Sequence, residues 1–462
     1  MKFGLPEDII ESIQKVFEQN SKVDEVLVFG SRAKGNYRTD SDIDLALKGR
    51  NISFDDILKL KVKLDELNLP YKIDLIDYNT ITEKDLLEHI GRVGISFYKR
   101  WKDLKWGQIS TIEYGKGLEN YLGDKGKFPV YGTNGKIGTT DKVLCPTAGV
   151  IIGRKGAYRG IHFSTSPFYV IDTAFYLKLK IKDLDIKYAY YQLLTQDINY
   201  MDSGSAIPST SREDFYALNI KLPPIKEQLS IVSILDSLSD KIDLLHRQNR
   251  TLEQLAETVF RQWFVEDAEI ENVPLDNNLK TSSGGTPSRS RMDYYSNGTI
   301  KWVKSQELQG TFIFDTVEMI TDEAIKNSSA KLFPANTVLI AMYGATVGEY
   351  GILAEPGTCN QAVCALLSNE EYPYTFLFVL IKFNKENLIN MAVGSAQQNI
   401  SQDLIKELMI PKSKDRIKNF HIEVEPMFEK IKSNILQIKA LTQLRDSLLP
   451  KLMSGEVRVE MN

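Results

Sequence analysis

The period of the hydrophobic positions changes several times within the first hundred residues. Ile9, Ile10, Ile13, Val16 and Phe17 recur at helical spacing, and Val23 to Phe29 then form a β-rich apolar run that stops at Gly30. Within GSRAKGNYRTDSDIDLAL (30–47) the segment Asp42-Ile43-Asp44-Leu45 reads as a second strand, whose period of two puts both carboxylates on one face. Helical spacing resumes through Ile57, Leu60, Val62 and Leu64, and KIDLID (72–77) is a third strand carrying Asp74.

From Trp101 onward the chain matches itself. Pro146 and Val150 recur as Pro334 and Val338, Gly156-Ala157 as Gly344-Ala345, and Asp172-x-Ala174 as Asn360-x-Ala362, all at a shift of 188. Gly204-Ser205-Ala206 and Leu218-x-Ile220 return as Gly394-Ser395-Ala396 and Leu408-x-Ile410 at a shift of 190, so the small changes of register are loop-length differences. Each copy is a Gly-, Tyr- and strand-rich globule followed by a helix with heptad spacing. In the first helix Leu235, Leu238, Ile242, Leu245, Asn249, Leu252, Ala256 and Val259 alternate steps of three and four; Val424, Met427, Ile431, Asn434, Ile438 and Leu441 do so in the second. Two matching seams, each with one Asn, predict an antiparallel pair rather than two helices that each lie on their own globule. A pair of about 30 residues spans about 45 Å; if the globules bind DNA, such a spacer separates their contacts by more than one helical turn of about 34 Å, and two half-sites would flank bases read by neither.

Length and composition narrow the function classes. With 462 residues, 42% hydrophobic and 26% charged, the chain can bury about three cores and reads as soluble and globular. Fifty-seven Lys plus Arg stand against 61 Asp plus Glu, a net charge of −4, which excludes holding nucleic acid by bulk charge and leaves local patches. Cys145, Cys359 and Cys364 form no CxxC pair and suggest no zinc site; a cytoplasmic location is expected. The start has no basic and apolar leader, and the most apolar stretch, Tyr372 to Phe383, is too short to span a bilayer, so no membrane role is expected.

Two same-face carboxylates and a third on a neighbouring strand could hold Mg²⁺, which favours oxygen ligands and substrate phosphates. Gly30 and Ser31, between a strand and a helix, would let backbone N–H groups approach a triphosphate, and Arg32 and Lys34 could add positive charge. The spacing from Gly30-Ser31 to Asp42-x-Asp44 and Asp74 resembles the minimal nucleotidyltransferases of the DNA polymerase β-like superfamily, over about residues 5–100. The resemblance implies Asp42 and Asp44 as metal ligands, Asp74 as the third carboxylate and candidate base, and Gly30 and Ser31 as phosphate binders. It also implies Mg²⁺ and a nucleoside triphosphate as cofactors, and in-line nucleotidyl transfer between two metals. An active transferase and an inactive nucleotide-binding module both remain open.

The repeat has its own diagnostic strings: LPPIKEQ (222–228), VFRQWFV (259–265), SGGTPSRS (283–290) with YYSNGTIKWVKSQEL (294–308), and RDSLLPKLMSGEV (445–457). The stretch from Trp101 onward resembles the specificity subunit of type I restriction-modification systems. That resemblance implies two target recognition domains, each reading one half of a split sequence in double-stranded DNA, and spacer helices that pair and dock methyltransferase (modification) subunits. Those partners bring S-adenosylmethionine and methylate adenine, a separate restriction subunit cleaves, and the specificity chain does neither reaction. The expected fold is α+β and multidomain. A nucleotidyltransferase-like α/β domain covers 1–100, and α/β target recognition domains cover 101–224 and 268–412. Long helices over 225–267 and 413–462 pair as an antiparallel coiled coil.

Polar, basic loops supply candidate DNA contacts: Asn134, Lys136, Arg154, Lys155, Tyr158 and Arg159 in the first module, and Arg289, Arg291, Lys301 and Lys304 in the second. The front domain, joined through Tyr98-Lys99-Arg100-Trp101, departs from the usual specificity subunit. It could disturb the pseudo-symmetric docking of the second modification subunit, regulate the complex through nucleotide, or act as a defence effector directed by DNA recognition. The rival reading is a nucleotidyltransferase that modifies a protein or nucleic-acid hydroxyl, with the repeat as its targeting arm; a third is a protein-binding scaffold.

Overall fold

The computed structural model describes residues 2–121, 123, 126–201, 207–266, 271–275, 279–391 and 399–459. The chain divides into two compact units, Met1–Ser237 with Leu444–Asn462, and Leu238–Gln443.

The first unit begins with α1 (Glu7–Glu18), β1 (Val23–Phe29), α2 (Gly30–Lys34), β2 (Ile43–Gly49), α3 (Phe54–Asp65), β3 (Ile73–Asp77), α4 (Lys84–Val93) and β4 (Ile95–Lys99). The sheet order is β3-β2-β1-β4, with β1 antiparallel to β2 and β4, and β2 parallel to β3. The parallel pair needs a crossover, and α3 supplies it. Ser53 starts α3 with a capping box, its hydroxyl accepting from the Asp56 N–H while the Asp56 carboxylate accepts from the Ser53 N–H. Leu60 and Leu64 of α3 are buried four residues apart, but Val62 is 56% exposed. At about 100° per residue Val62 lies well round the helix from both, so the grouping of Val62 with them on one face is corrected. Asp42 stands just before β2, and Asp44 is the second residue within it.

The first module of the repeat has β5 (Lys102–Lys105), β6 (Ser110–Tyr114), β7 (Phe128–Gly132), β8 (Gly135–Thr140), β9 (Gly149–Gly153), β10 (Ile161–Ser164), β11 (Tyr169–Val170), β12 (Ala174–Leu179) and β13 (Asn219–Leu222). They form sheets in the orders β10-β9-β12-β6, β11-β7-β8 and β13-β5. In the second unit lie β14 (Asn272–Pro274), β15 (Thr281–Ser283), β16 (Ile300–Val303), β17 (Phe312–Ile313), β18 (Met319–Ile320), β19 (Val338–Ala341), β20 (Tyr350–Leu353), β21 (Thr358–Cys359), β22 (Val363–Leu366) and β23 (Met409–Pro411). Their sheets are β15-β22-β19-β20-β17, β18-β16-β21 and β14-β23. Apart from the added edge strand β17, the three strand orders correspond one for one, so the sequence repeat is a repeat of topology. The Gly-Ser-Ala repeats at 204–206 and 394–396 lie outside the described residues.

Two long helices, Ile225–Phe264 and Lys414–Ser454, carry the heptads. In the first unit the start of the first helix (Ile231, Val232, Leu235) shares a core with the end of the second (Leu448, Leu449, Leu452, Met453). In the second unit the end of the first helix (Ala256, Val259, Phe260, Phe264) packs with the start of the second (Ile417, Phe420, Val424, Phe428, Ile431). There, too, Asn434 Nδ2 donates to Asn249 Oδ1 at 2.8 Å, with both side chains buried. The helices are therefore antiparallel and share the seam that the heptads predict. No described helix is long and apolar enough to cross a membrane.

Candidate functional site

In the front domain, the register of the parallel pair sets Asp44 directly beside Asp74. The turn opposite is Gly30, at φ 71°, where an added Cβ would collide with Asp44 Oδ2. Only glycine meets both the left-handed conformation and the close approach. Burial raises the Asp44 pKa, and the neighbouring charges of Asp74 and Asp42 push it the same way. Lys72, which sequence reasoning passed over, bridges the other two carboxylates: its Nζ is 2.8 Å from Asp74 Oδ2 and 3.8 Å from Asp42 Oδ2. The available signal was its place two residues before Asp74, hence on the same face of an extended segment.

Among the described residues no group of three or more His, Cys, Asp or Glu side chains is arranged to hold a metal. The three carboxylates suit a hard divalent cation in charge and donor type, but in this arrangement an ammonium neutralises two of them. Of the phosphate-binding candidates, Ser31 is partly exposed and Lys34 exposed. Arg32 is a correction. It is buried, and its guanidinium donates to the carbonyl oxygens of Ser41 (2.7 and 3.0 Å), Asp42 (3.2 Å) and Phe3 (3.1 Å), between the rings of Tyr37 and Tyr71. It clamps the loop that carries Asp42 instead of meeting a phosphate.

In the first module of the repeat the tip of the β7–β8 hairpin and the β9–β10 loop are stitched together by Thr133. Its hydroxyl donates to the carbonyls of Lys155 (2.9 Å) and Thr173 (2.6 Å), and its carbonyl accepts from the Gly160 N–H (3.1 Å). This brings Asn134, Lys155 and Tyr158 to one exposed patch, and the Asn134 amide, turned nitrogen-first, donates to the Tyr158 carbonyl at 3.0 Å. Lys136 is exposed on β8. Arg154 donates to the Asp172 carbonyl (2.9 Å) and lies over Tyr114, whose ring also carries Arg212. Tyr114 and Arg212 were not singled out in the sequence, because their separation of 98 positions hides the stack. Arg159 is the second correction: it is buried, donating to the carbonyls of Asn199 (2.7 Å) and Met201 (2.9 Å), so it supports the loop rather than facing a duplex.

In the second module the four candidates all carry carboxylate partners. Arg289 pairs with Glu318 (2.7 Å) over the rings of Tyr295 and Trp302, and Lys304 reaches the same Glu318 at 3.4 Å. Arg291 pairs with Asp293 (2.6 Å), and Lys301 with Glu355. The hydrogen bond from Arg289 holds Glu318 below its ordinary pKa. Surface pairs of this kind contribute about 0–1 kcal/mol, so a phosphate can displace the carboxylate at little cost.

Such duplicated modules on paired helices have known counterparts. Residues 98–254 and 269–421 match the type I restriction modification DNA specificity domain, and residues 11–103 match the polymerase beta nucleotidyltransferase domain. The chain belongs to the type I restriction-modification specificity family, with a domain of the polymerase-β nucleotidyltransferase family at its front. It is 25% identical over 304 residues to the MjaIX specificity subunit of Methanocaldococcus jannaschii, covering 59% of this chain and 69% of that one. The HindI specificity subunit of Haemophilus influenzae is 24% identical over 333 residues, 55% of this chain and 72% of the relative. The front domain is 35% identical over 81 residues to the probable protein adenylyltransferase MntA of H. influenzae, 17% of this chain and 70% of that protein. The crystal structure of a type I S subunit from M. genitalium shares the fold, with a TM-score of 0.55 and 19% identity over 78% of this chain and 97% of that one.

Proposed function

We propose that this chain is the DNA-reading subunit of a type I restriction-modification complex in the cytoplasm. Each recognition module reads one half of a bipartite duplex target, and the helices dock modification subunits and a restriction subunit. S-adenosylmethionine belongs to the modification subunit, which flips and methylates adenine while this chain holds the duplex. One observation carries the reading: two modules of matching strand order on an antiparallel helix pair whose register is marked by the Asn249–Asn434 contact. Asn134, Lys136, Arg154, Lys155 and Tyr158 are the DNA contacts proposed for the first module, and Arg289, Arg291, Lys301 and Lys304 for the second. The test is to map adenine methylation in cells carrying this chain with its modification subunit. A split motif that disappears on deletion of the chain is expected; methylation that survives deletion overturns the proposal.

The gathering of Asp42, Asp44 and Asp74 at the Gly30 turn favours a nucleotide-binding role for the front domain, with Gly30, Ser31 and Lys34 toward the phosphates. A bound Mg²⁺ would supply charge to those phosphates. Lys72 would then release the carboxylates, and Arg32 would keep the Asp42 loop in place. Incubation with labelled nucleoside triphosphates and Mg²⁺ tests this: labelling that Asp42→Ala and Asp44→Ala abolish makes the domain a transferase, nucleotide binding without labelling makes it a binding module, and neither removes the reading.

A further inference from the structure

Five charged side chains from three distant parts of the first unit meet at a place that neither proposed activity uses. Glu227 lies in the first turn of the first long helix, Arg100 in the linker that leaves the front domain, and Arg458 beyond the end of the second long helix. Arg100 Nε donates to Glu227 Oε2 at 2.9 Å, and both side chains are 1% exposed. Arg458 completes the same carboxylate, with Nε 2.6 Å from Oε1 and a terminal nitrogen 3.1 Å from Oε2. Its other terminal nitrogen pairs with Asp24, in β1 of the front domain. Arg50, just after β2, donates to the carbonyls of Gly455 (2.8 Å) and Glu456 (2.7 Å) and stands 3.8 Å from Asp24. The Arg100 N–H donates to the Asp24 carbonyl at 2.9 Å, so the linker backbone joins the same cluster.

We propose that this cluster is a latch that fixes the front domain onto the reading module, with Glu227 as its hub and Arg458 as its pin. Burial decides its character. Exposed ion pairs hold weakly, whereas removing one member of a buried, hydrogen-bonded set strands the others in a low dielectric. Here Glu227 accepts from two guanidinium groups at once, and losing either leaves its charge partly uncompensated. The linker alone would leave the front domain free to swing; the latch makes it one piece with the ends of both helices. The strand register shows which end is held: Val23 faces Gly49 and Phe29 faces Asp44, so Asp24 and Arg50 lie at one end of β1 and β2, and Gly30 and Asp44 at the other.

Limited trypsin digestion of the full chain, scored by cleavage after Arg100, tests the latch without reference to any activity. Wild type is expected to resist at Arg100, while Arg458→Ala and Glu227→Gln are cut there at least tenfold faster, with cleavage elsewhere unchanged. Arg50 is largely exposed, so Arg50→Ala can be expected to fold and to show a smaller acceleration of the same sign. Hydrogen exchange should show loosened amides at Asp24 and Arg100 but not at Asp44. Equal cleavage after Arg100 in wild type and Arg458→Ala overturns the proposal, as does acceleration at every site together, which would mark general unfolding.

Discussion

The two recognition modules share their strand orders, yet they join the helix pair by different chemistry. In the second unit the joint is aromatic: Phe260 packs within 5.1–5.8 Å, ring to ring, of Phe264, Phe376, Phe383 and Phe420. In the first unit the helices contribute aliphatic side chains instead, among them Leu235, Leu452 and Met453, to a core that also holds Trp106, Tyr188 and Phe215, and the buried Glu227 cluster starts from the same helix. A repeated topology therefore does not require a repeated joint. Polar pairs reach both joints: Lys382, partly buried, meets Glu253 and Glu257 of the first helix in the second unit, while in the first unit the Arg100–Glu227 pair is 1% exposed and stabilises only when its set is complete.

The largest expected effect falls on the aromatic joint. Phe260→Ala should cost about 3–5 kcal/mol in the second unit, read as a lower denaturant midpoint, because so large a buried ring leaves a cavity. A loss below about 1 kcal/mol would show that the aromatic joint is not what holds that end. Next comes the polar point in the seam. Asn434→Ala should destabilise by about 1–3 kcal/mol, since Asn249 loses its buried donor. Replacing both Asn249 and Asn434 by Leu should instead stabilise the pair while relaxing its register, and cross-linking across the seam would detect the slip.

DNA readout sharpens the contrast between the modules' loops. Arg289→Ala should relax one position of the target by about 1–3 kcal/mol, whereas Lys136→Ala should weaken every sequence alike and lower the salt slope by about 1. A panel that gives only uniform losses would remove the base-reading assignment from Arg289. The smallest effect lies in the front domain. Because the Asp44 pKa is raised in the folded state, its charge destabilises that state above the ordinary carboxylate range. Asp44→Asn should then melt slightly higher than wild type at neutral pH, and the difference should vanish as pH falls through that range. A gain independent of pH would contradict the crowding of Asp44 by Asp42 and Asp74.

Periodicity made much of the architecture legible. The heptads at Leu235, Ile242, Leu245, Asn249 and Ala256 are buried in the first helix, as are Val424, Ile431 and Asn434 in the second. Three of the four front-domain strands follow from their apolar runs. The misassigned site residues share one cause. Arg32, in the short helix α2, and Arg159, in the β9–β10 loop, sit in basic, glycine-containing segments like any phosphate binder, but both are buried on backbone carbonyls, and no neighbour in sequence announces an acceptor supplied by tertiary folding. Tyr114 with Arg212, and Asp24 with Arg458, are likewise pairings between remote positions. Local pattern carries spacing; it does not carry which distant groups will neutralise one another.

The antiparallel polarity of β1 and β2 has a last consequence. A domain gripped at the Asp24 margin of its sheet leaves the opposite margin, with Gly30 and Asp44 of the proposed nucleotide site, at its far end. Strands that rise about 3.3 Å per residue keep grip and far end roughly 20 Å apart, so changes at either can be engineered without touching the other.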